Sequence, residues 1–165
     1  MRRRRLHLKL GDLFRLPLSP DLAGVGQIVA IRSAGFYYFA VFDATHPPDG
    51  EPSVHLPATS IDLLALSMDA LLHHGYWQVI GNAPVDGTII FPTYKEATAP
   101  DVFDVVDHLD TSRRRAKPDE ADSLPFRKVV APIRVQHAFE ALHGLRPWSP
   151  EYDELRYGHA RPASA

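Results

Sequence analysis

From residue 11 onward, apolar residues come in short runs, each closed by Gly, Pro, Asp or Ser. Gly11-Asp12 leads into Leu13, Phe14, Leu16 and Leu18, interrupted by Arg15 and Pro17. A Gly-containing turn at 21–26 precedes Gln27-Ile28-Val29-Ala30-Ile31, and Ser33-Ala34-Gly35 separates that run from the aromatic stretch 36–42. β-branched and aromatic runs bounded in this way predict strands joined by tight turns. Three in succession predict an antiparallel meander over 11–43, with the rest of the chain as its cover.

The pattern then changes. Three prolines and a glycine within 46–52 predict a loop, and Val54-His55-Leu56 a short strand. Ser60 reads as a helix N-cap, with Asp62 in the first turn and Ile61, Leu64, Ala65 and Met68 spaced i, i+3, i+4 and i+7, so the spacing predicts a helix over 60–74, stopped by Gly75. Tyr76-Trp77-Gln78-Val79-Ile80 and Thr88-Ile89-Ile90-Phe91 predict two more strands, the second following an Asp86-Gly87 turn. Val102 to 109 alternates apolar and acidic residues, and Arg113, Arg114 and Arg115 are placed to return antiparallel and pair with Asp104, Asp107 or Asp110. Lys117-Pro118 opens a short helix, residues 128–131 predict a last short strand, and Pro132 starts a helix over 132–143 with Val135, Ala138, Phe139 and Leu142 on one stripe. Trp148, Tyr152, Leu155 and Tyr157 should fold back on the domain, because free they would expose a large apolar patch. The predicted class is α+β, mostly β: a strongly bent antiparallel sheet, an SH3-like or partly open barrel meander, covered by two main helices at about 60–74 and 132–143. A single domain spans 1–157, and 158–165 reads as a disordered tail.

Composition narrows the chemistry. With 165 residues the chain can bury a core without staples, and its 15 prolines disfavour long helices. The absence of cysteine excludes disulfides, thiolate catalysis and cysteine zinc sites and fits a cytoplasmic protein. No apolar run approaches the roughly 20 residues that cross a bilayer, and Leu6-His7-Leu8-Lys9 after the arginines at 2–5 is no signal sequence. The net charge of −2 conceals an uneven distribution. Residues 36–112 hold eleven acids against the single base Lys95, between two basic flanks. Either intramolecular pairing cancels this, or an acidic face steers a basic partner toward the protein.

The segment GDLFRLPL at 11–18, the Gly26-Gln27-Ile28-Val29 strand, the aromatic strand 36–42, the segment GYWQVIG at 75–81 and the strand ending Phe91-Pro92 resemble the immunity protein 26 family of bacterial polymorphic-toxin systems. The resemblance covers roughly 8–95. It implies a mostly β domain that binds and neutralises a cognate toxin domain, with a protein partner and no catalysis. It carries over no list of binding residues.

The residues themselves add little catalytic chemistry. His73 and His74 are sequence neighbours on a predicted helix and diverge by about 100°. Glu140-x-x-His143 has the spacing of di-iron carboxylate bundles, but occurs once where two copies are needed. Asp101, Asp104, Asp107 and Asp110 recur every third residue, which alternates faces on a strand and so favours an acidic rim over a Mg²⁺ or Ca²⁺ cage. No nucleophile elbow, phosphate loop or dinucleotide fingerprint occurs. The reading is therefore a non-enzymatic cytoplasmic immunity protein without metal or cofactor, which occludes a toxin non-covalently. A basic nuclease is the toxin class an acidic face would suit; neither membrane nor nucleic acid is an expected partner. Candidate contact residues are Asp101, Asp104, Asp107 and Asp110 and the aromatic pairs Tyr76/Trp77 and Tyr37/Tyr38, of which one member each should be core. The alternatives are a nucleic-acid adaptor using the arginines at 2–5 and 113–115, or an SH3-like-barrel ribonuclease toxin. Those ribonucleases carry an Arg-Pro pair after the glycine turn, where this chain has Gly24-Val25-Gly26-Gln27.

Overall fold

A computed structural model describes residues 6–53 and 55–158. The arginines at 2–5, Val54 of the predicted strand 54–56, and the predicted tail beyond Gly158 lie outside the described residues.

The predicted meander forms three long strands, β1 (Asp12–Ser19), β2 (Leu22–Ser33) and β3 (Phe36–His46). With β4 (Ile61–Met68) and β5 (Gln78–Asn82) they make a five-stranded sheet in the order β4-β3-β2-β1-β5, every neighbour antiparallel. All four strand pairs contain a register shift, and each such bulge adds local twist and bend. One shift lies on β5, where Leu13 pairs with Gly81 but Phe14 pairs with Val79, leaving Ile80 as the extra residue.

Both faces of this sheet are buried. One carries Phe14, Leu16, Ile28, Phe39, Val41, Leu63 and Trp77, under the helix α3 (Pro132–Leu142) and a 3-10 turn at Pro150–Leu155. The other carries Leu13, Val25, Val29, Tyr38, Ala40, Phe42 and Leu66, under Leu56, Ala58, Ala83 and Ile89 from loops. The aromatic tail does fold back: Tyr152 and Leu155 join the first face, and Tyr157 packs on the second.

A second, three-stranded sheet follows, β6 (Tyr94–Ala99), β7 (Val102–Val106) and β8 (Arg113–Arg115), all antiparallel. The return of the three arginines along β7 is as the charge pattern predicts. The remaining helices are a single turn, α1 (Ala70–His73), and α2 (Pro118–Ser123). Among the described residues no helix is long and apolar enough to cross a membrane.

The coarse class holds: mostly β, antiparallel, with few helices. The helix expected at 60–74 is a correction. Residues 61–68 are β4, paired to β3 from Phe42↔Ile61 to Phe36↔Met68, and only 70–73 are helical. The same residues carry two periods. Leu63, Ala65 and Ser67 belong to one face and Leu64 and Leu66 to the other, and a strand buried on both faces is apolar throughout, which mimics a helical stripe. Ser60 is no N-cap; its hydroxyl donates to the Pro57 carbonyl at 2.8 Å and closes a 3-10 turn. The strand expected at 88–91 is a loop that plugs the second face through Ile89 and Phe91. The strand expected at 128–131 reduces to one bridge, Ser67↔Val130.

Candidate partner-binding surface

The four aspartates lie on three kinds of backbone and do three kinds of work. Asp101 sits in the turn between β6 and β7 with φ 57, is exposed, and makes no ion pair among the described residues. Asp104, on β7, is only 9% exposed and faces the guanidinium groups of Arg113 at 3.3 Å and Arg115 at 3.5 Å. Asp107 caps its own loop: it accepts from the Ser112 amide at 3.0 Å and from the Thr111 amide and hydroxyl. Burial opposes ionisation there, but these hydrogen bonds win and hold the carboxyl below its usual range. Asp110 takes Arg32 Nη2 on one oxygen and Arg127 Nη2 on the other, each at 2.8 Å. Burial would raise its pKa, and the two arginines bring it down instead. Three of the four carboxylates are thus spent inside the molecule.

The same holds for the bases. Arg113 also reaches Glu96 at 2.9 Å, and Arg114 Nη1 donates to Glu120 at 2.7 Å. That pair, with the Lys117 amide on the same carboxylate, lowers the Glu120 pKa to about 2. A phosphate approaching β8 would compete with built-in carboxylates.

The aromatic pairs divide unevenly. Tyr76 is 49% exposed, whereas Trp77 is 1% exposed and stacks on Phe14 at 5.0 Å. Tyr37 and Tyr38 are both buried, at 8% and 1%. Both faces of β3 are covered, so neither tyrosine reaches the surface. Two residues on from Trp77, Val79 on the β5 edge is 39% exposed. The segment 75–85 contains no Asp, Glu, Lys or Arg.

A polar and aromatic joint that sequence reasoning did not find links the two sheets. The Tyr38 hydroxyl donates to the His108 carbonyl at 3.1 Å. The His108 ring lies flat on Phe91, with centroids 3.9 Å apart and planes at 5°, and Tyr38 meets both rings edge-on. Arg127 stacks over Tyr94 at 5.0 Å and donates to the Asp107 carbonyl at 2.7 Å. Burial raises the Tyr38 and Tyr94 pKa values, the two hydroxyls reinforcing this at Tyr94, so both stay neutral donors. Burial also lowers the His108 pKa; Asp107 opposes this and Arg127 adds to it. Arg32, Tyr94, His108 and Arg127 lie up to 95 positions apart along the chain; no local spacing could group them.

His73 and His74 sit with ring centroids 5.7 Å apart at 77°. Among the described residues no three His, Asp or Glu side chains gather to hold a metal ion. A cleft of about 30 Å³ between Leu64, Ile90, Tyr157 and Arg156 has room for about one water. No known protein family, curated protein or solved structure matches the chain.

Proposed function

We infer that this chain is an immunity-type inhibitor, which protects a bacterial cell by binding a toxin domain non-covalently and covering its active site. The observation that carries the reading is the edge around β5. Tyr76 and Val79 are held at the surface on either side of the buried Trp77, within a segment free of charged side chains. A rigid aromatic near an aliphatic, on a segment that itself carries no charge and lies beside Arg15 of β1, has the aromatic and apolar composition of an interface centre. The segments that carry the family resemblance support it further, because β3, β2, β1 and β5 are contiguous in one sheet. The SH3-like or partly open barrel belongs to this proposal too, and the bulges in every strand pair of the sheet supply the bending it needs.

The mechanism differs from electrostatic steering. Asp104, Asp107 and Asp110 are occupied by internal partners, so recognition rests on shape and apolar contact around Tyr76 and Val79. The test is co-expression with the toxin encoded beside this gene. The chain rescues growth, and Tyr76→Ala with Val79→Asp abolishes rescue while thermal unfolding stays near wild type. Rescue that survives the double variant removes this surface from the reading; a chain that protects against no adjacent toxin removes the function.

A further inference from the structure

We propose that residues 94–127, which carry β6, β7, β8 and α2, form a flap that opens from the five-stranded sheet as one unit, latched by Asp110. Three observations lead to it. First, among the described residues no strand pairing joins the two sheets; β6, β7 and β8 form ladders only with one another. Second, the flap holds itself together without the main core. The Lys95 ammonium donates to the Ala121 carbonyl at 2.6 Å and lies between the rings of Phe103 and Phe126, at 5.1 and 5.0 Å. Arg127 ties the segment after α2 to the Asp107 carbonyl and the Tyr94 ring. None of these residues belongs to a core cluster of the sheet; Leu109 and the His108 ring pack against the cluster that holds Tyr38, while Tyr94, Val105 and Val106 are buried outside both clusters.

Third, the links across the joint are few and mostly side-chain. Arg32 on β2 donates to Asp110 through Nε at 3.2 Å and Nη2 at 2.8 Å. Tyr38 on β3 donates to the His108 carbonyl, and Phe91, in the tether before β6, stacks on the His108 ring. Asp110 is the carboxylate that receives an arginine from each side, Arg32 from the sheet and Arg127 from the flap. Regions with few buried apolar contacts open below the global free energy, in cooperative units. Opening here would uncover the Tyr38 ring, whose edge meets His108.

Native-state hydrogen exchange of the full chain at pH 7 tests this. The protected amides of β6, β7 and β8 exchange together and faster than those of β2 and β3. Asp110→Asn accelerates the flap amides about tenfold, the loss expected for a hydrogen-bonded charge pair, and leaves β2 and β3 unchanged. Arg32→Gln does the same, which covers the case in which the Asp110 variant fails to fold. The proposal falls if β7 amides exchange at the rate of β2 and β3. It falls equally if either folded variant speeds both sheets alike, or neither.

Discussion

Trp77 Nε1 donates to Gln136 Oε1 at 2.8 Å, and both side chains are buried, at 1% and 0% exposure. Gln136 also gives its amide protons to the Pro17 carbonyl at 2.7 Å and to Glu140 at 3.0 Å. One α3 residue therefore fastens the start of β5 and the end of β1. Gln136→Leu strands the indole N–H and the carbonyl together. It should cost about 3 kcal/mol, since each buried group left unpaired costs about 1–3 kcal/mol. The double variant Trp77→Phe/Gln136→Leu should cost less than the sum of the two single changes. A double-mutant cycle in urea measures it, and strict additivity would dissolve the pairing.

β2 lacks side chains at two points, one of which lets α3 approach and the other of which makes room for a core ring of β1. A Cβ at Gly24 would overlap the ring of Phe139, and one at Gly26 the ring of Phe14. Gly24→Ala should therefore destabilise by about 1–3 kcal/mol through overpacking. Adding Phe139→Leu, which makes room, should return part of the loss. Thermal melts of the single and double variants decide it; a neutral Gly24→Ala would mean the helix is free to shift.

His108 gives the joint a pH dependence. Its folded pKa lies below the ordinary value of about 6.5, so between those two values the unfolded chain binds the proton that the folded chain refuses. The stability contributed is complete above about pH 6.5 and is lost as pH falls toward the lowered value. Asp110 acts with the same sign in a lower window, below the usual carboxylate range. His108→Phe keeps the stack on Phe91 and should flatten the fall in melting temperature just below about pH 6.5. An unchanged slope would place that proton on another histidine.

The arginines of β8 form an exposed edge strand, each more than 40% exposed at the side chain. Charge on an edge deters pairing with other chains. Replacing Arg114 and Arg115 by threonine should leave β8 folded and raise light scattering on heating. The opposite result, unchanged scattering, would assign those residues to internal pairing alone.

The meander was readable because its turns and its strands are both local events. Gly11 and Gly35 take positive φ at the turn positions the sequence suggests, and the apolar runs between them are long enough to be strands. β4 was not, since Ile61, Leu64, Ala65 and Met68 satisfy a helical period while Leu63, Ala65 and Ser67 satisfy a strand period on one face. Pairing with β3 chooses between them, and that is a tertiary choice. α3 was readable through its stripe of Val135, Ala138 and Phe139. The candidate surface was half legible: one of Tyr76 and Trp77 is exposed and the other core, although both lie in the bend before β5 rather than in a strand, but Tyr37 and Tyr38 are both interior because β3 is covered on two sides. The partners of the aspartates depend on which loops meet, which charge order along the chain does not encode.

The extra residue at Ile80 bears on how this molecule keeps company with itself. Side-chain direction alternates strictly along a strand, and Ile80 shifts that alternation by one between Val79 and Gly81. A second copy laid antiparallel along residues 78–82 would match faces on one side of Ile80 and oppose them on the other. The other borders have their own stops: Val130 and Tyr157 bond to the backbone of β4, Pro125 accepts from Lys95 on β6, and β8 is charged. Each of these stops works against the open-ended stacking that strands invite, and the β5 border does so by one inserted residue rather than by a cover, leaving Val79 exposed beside it.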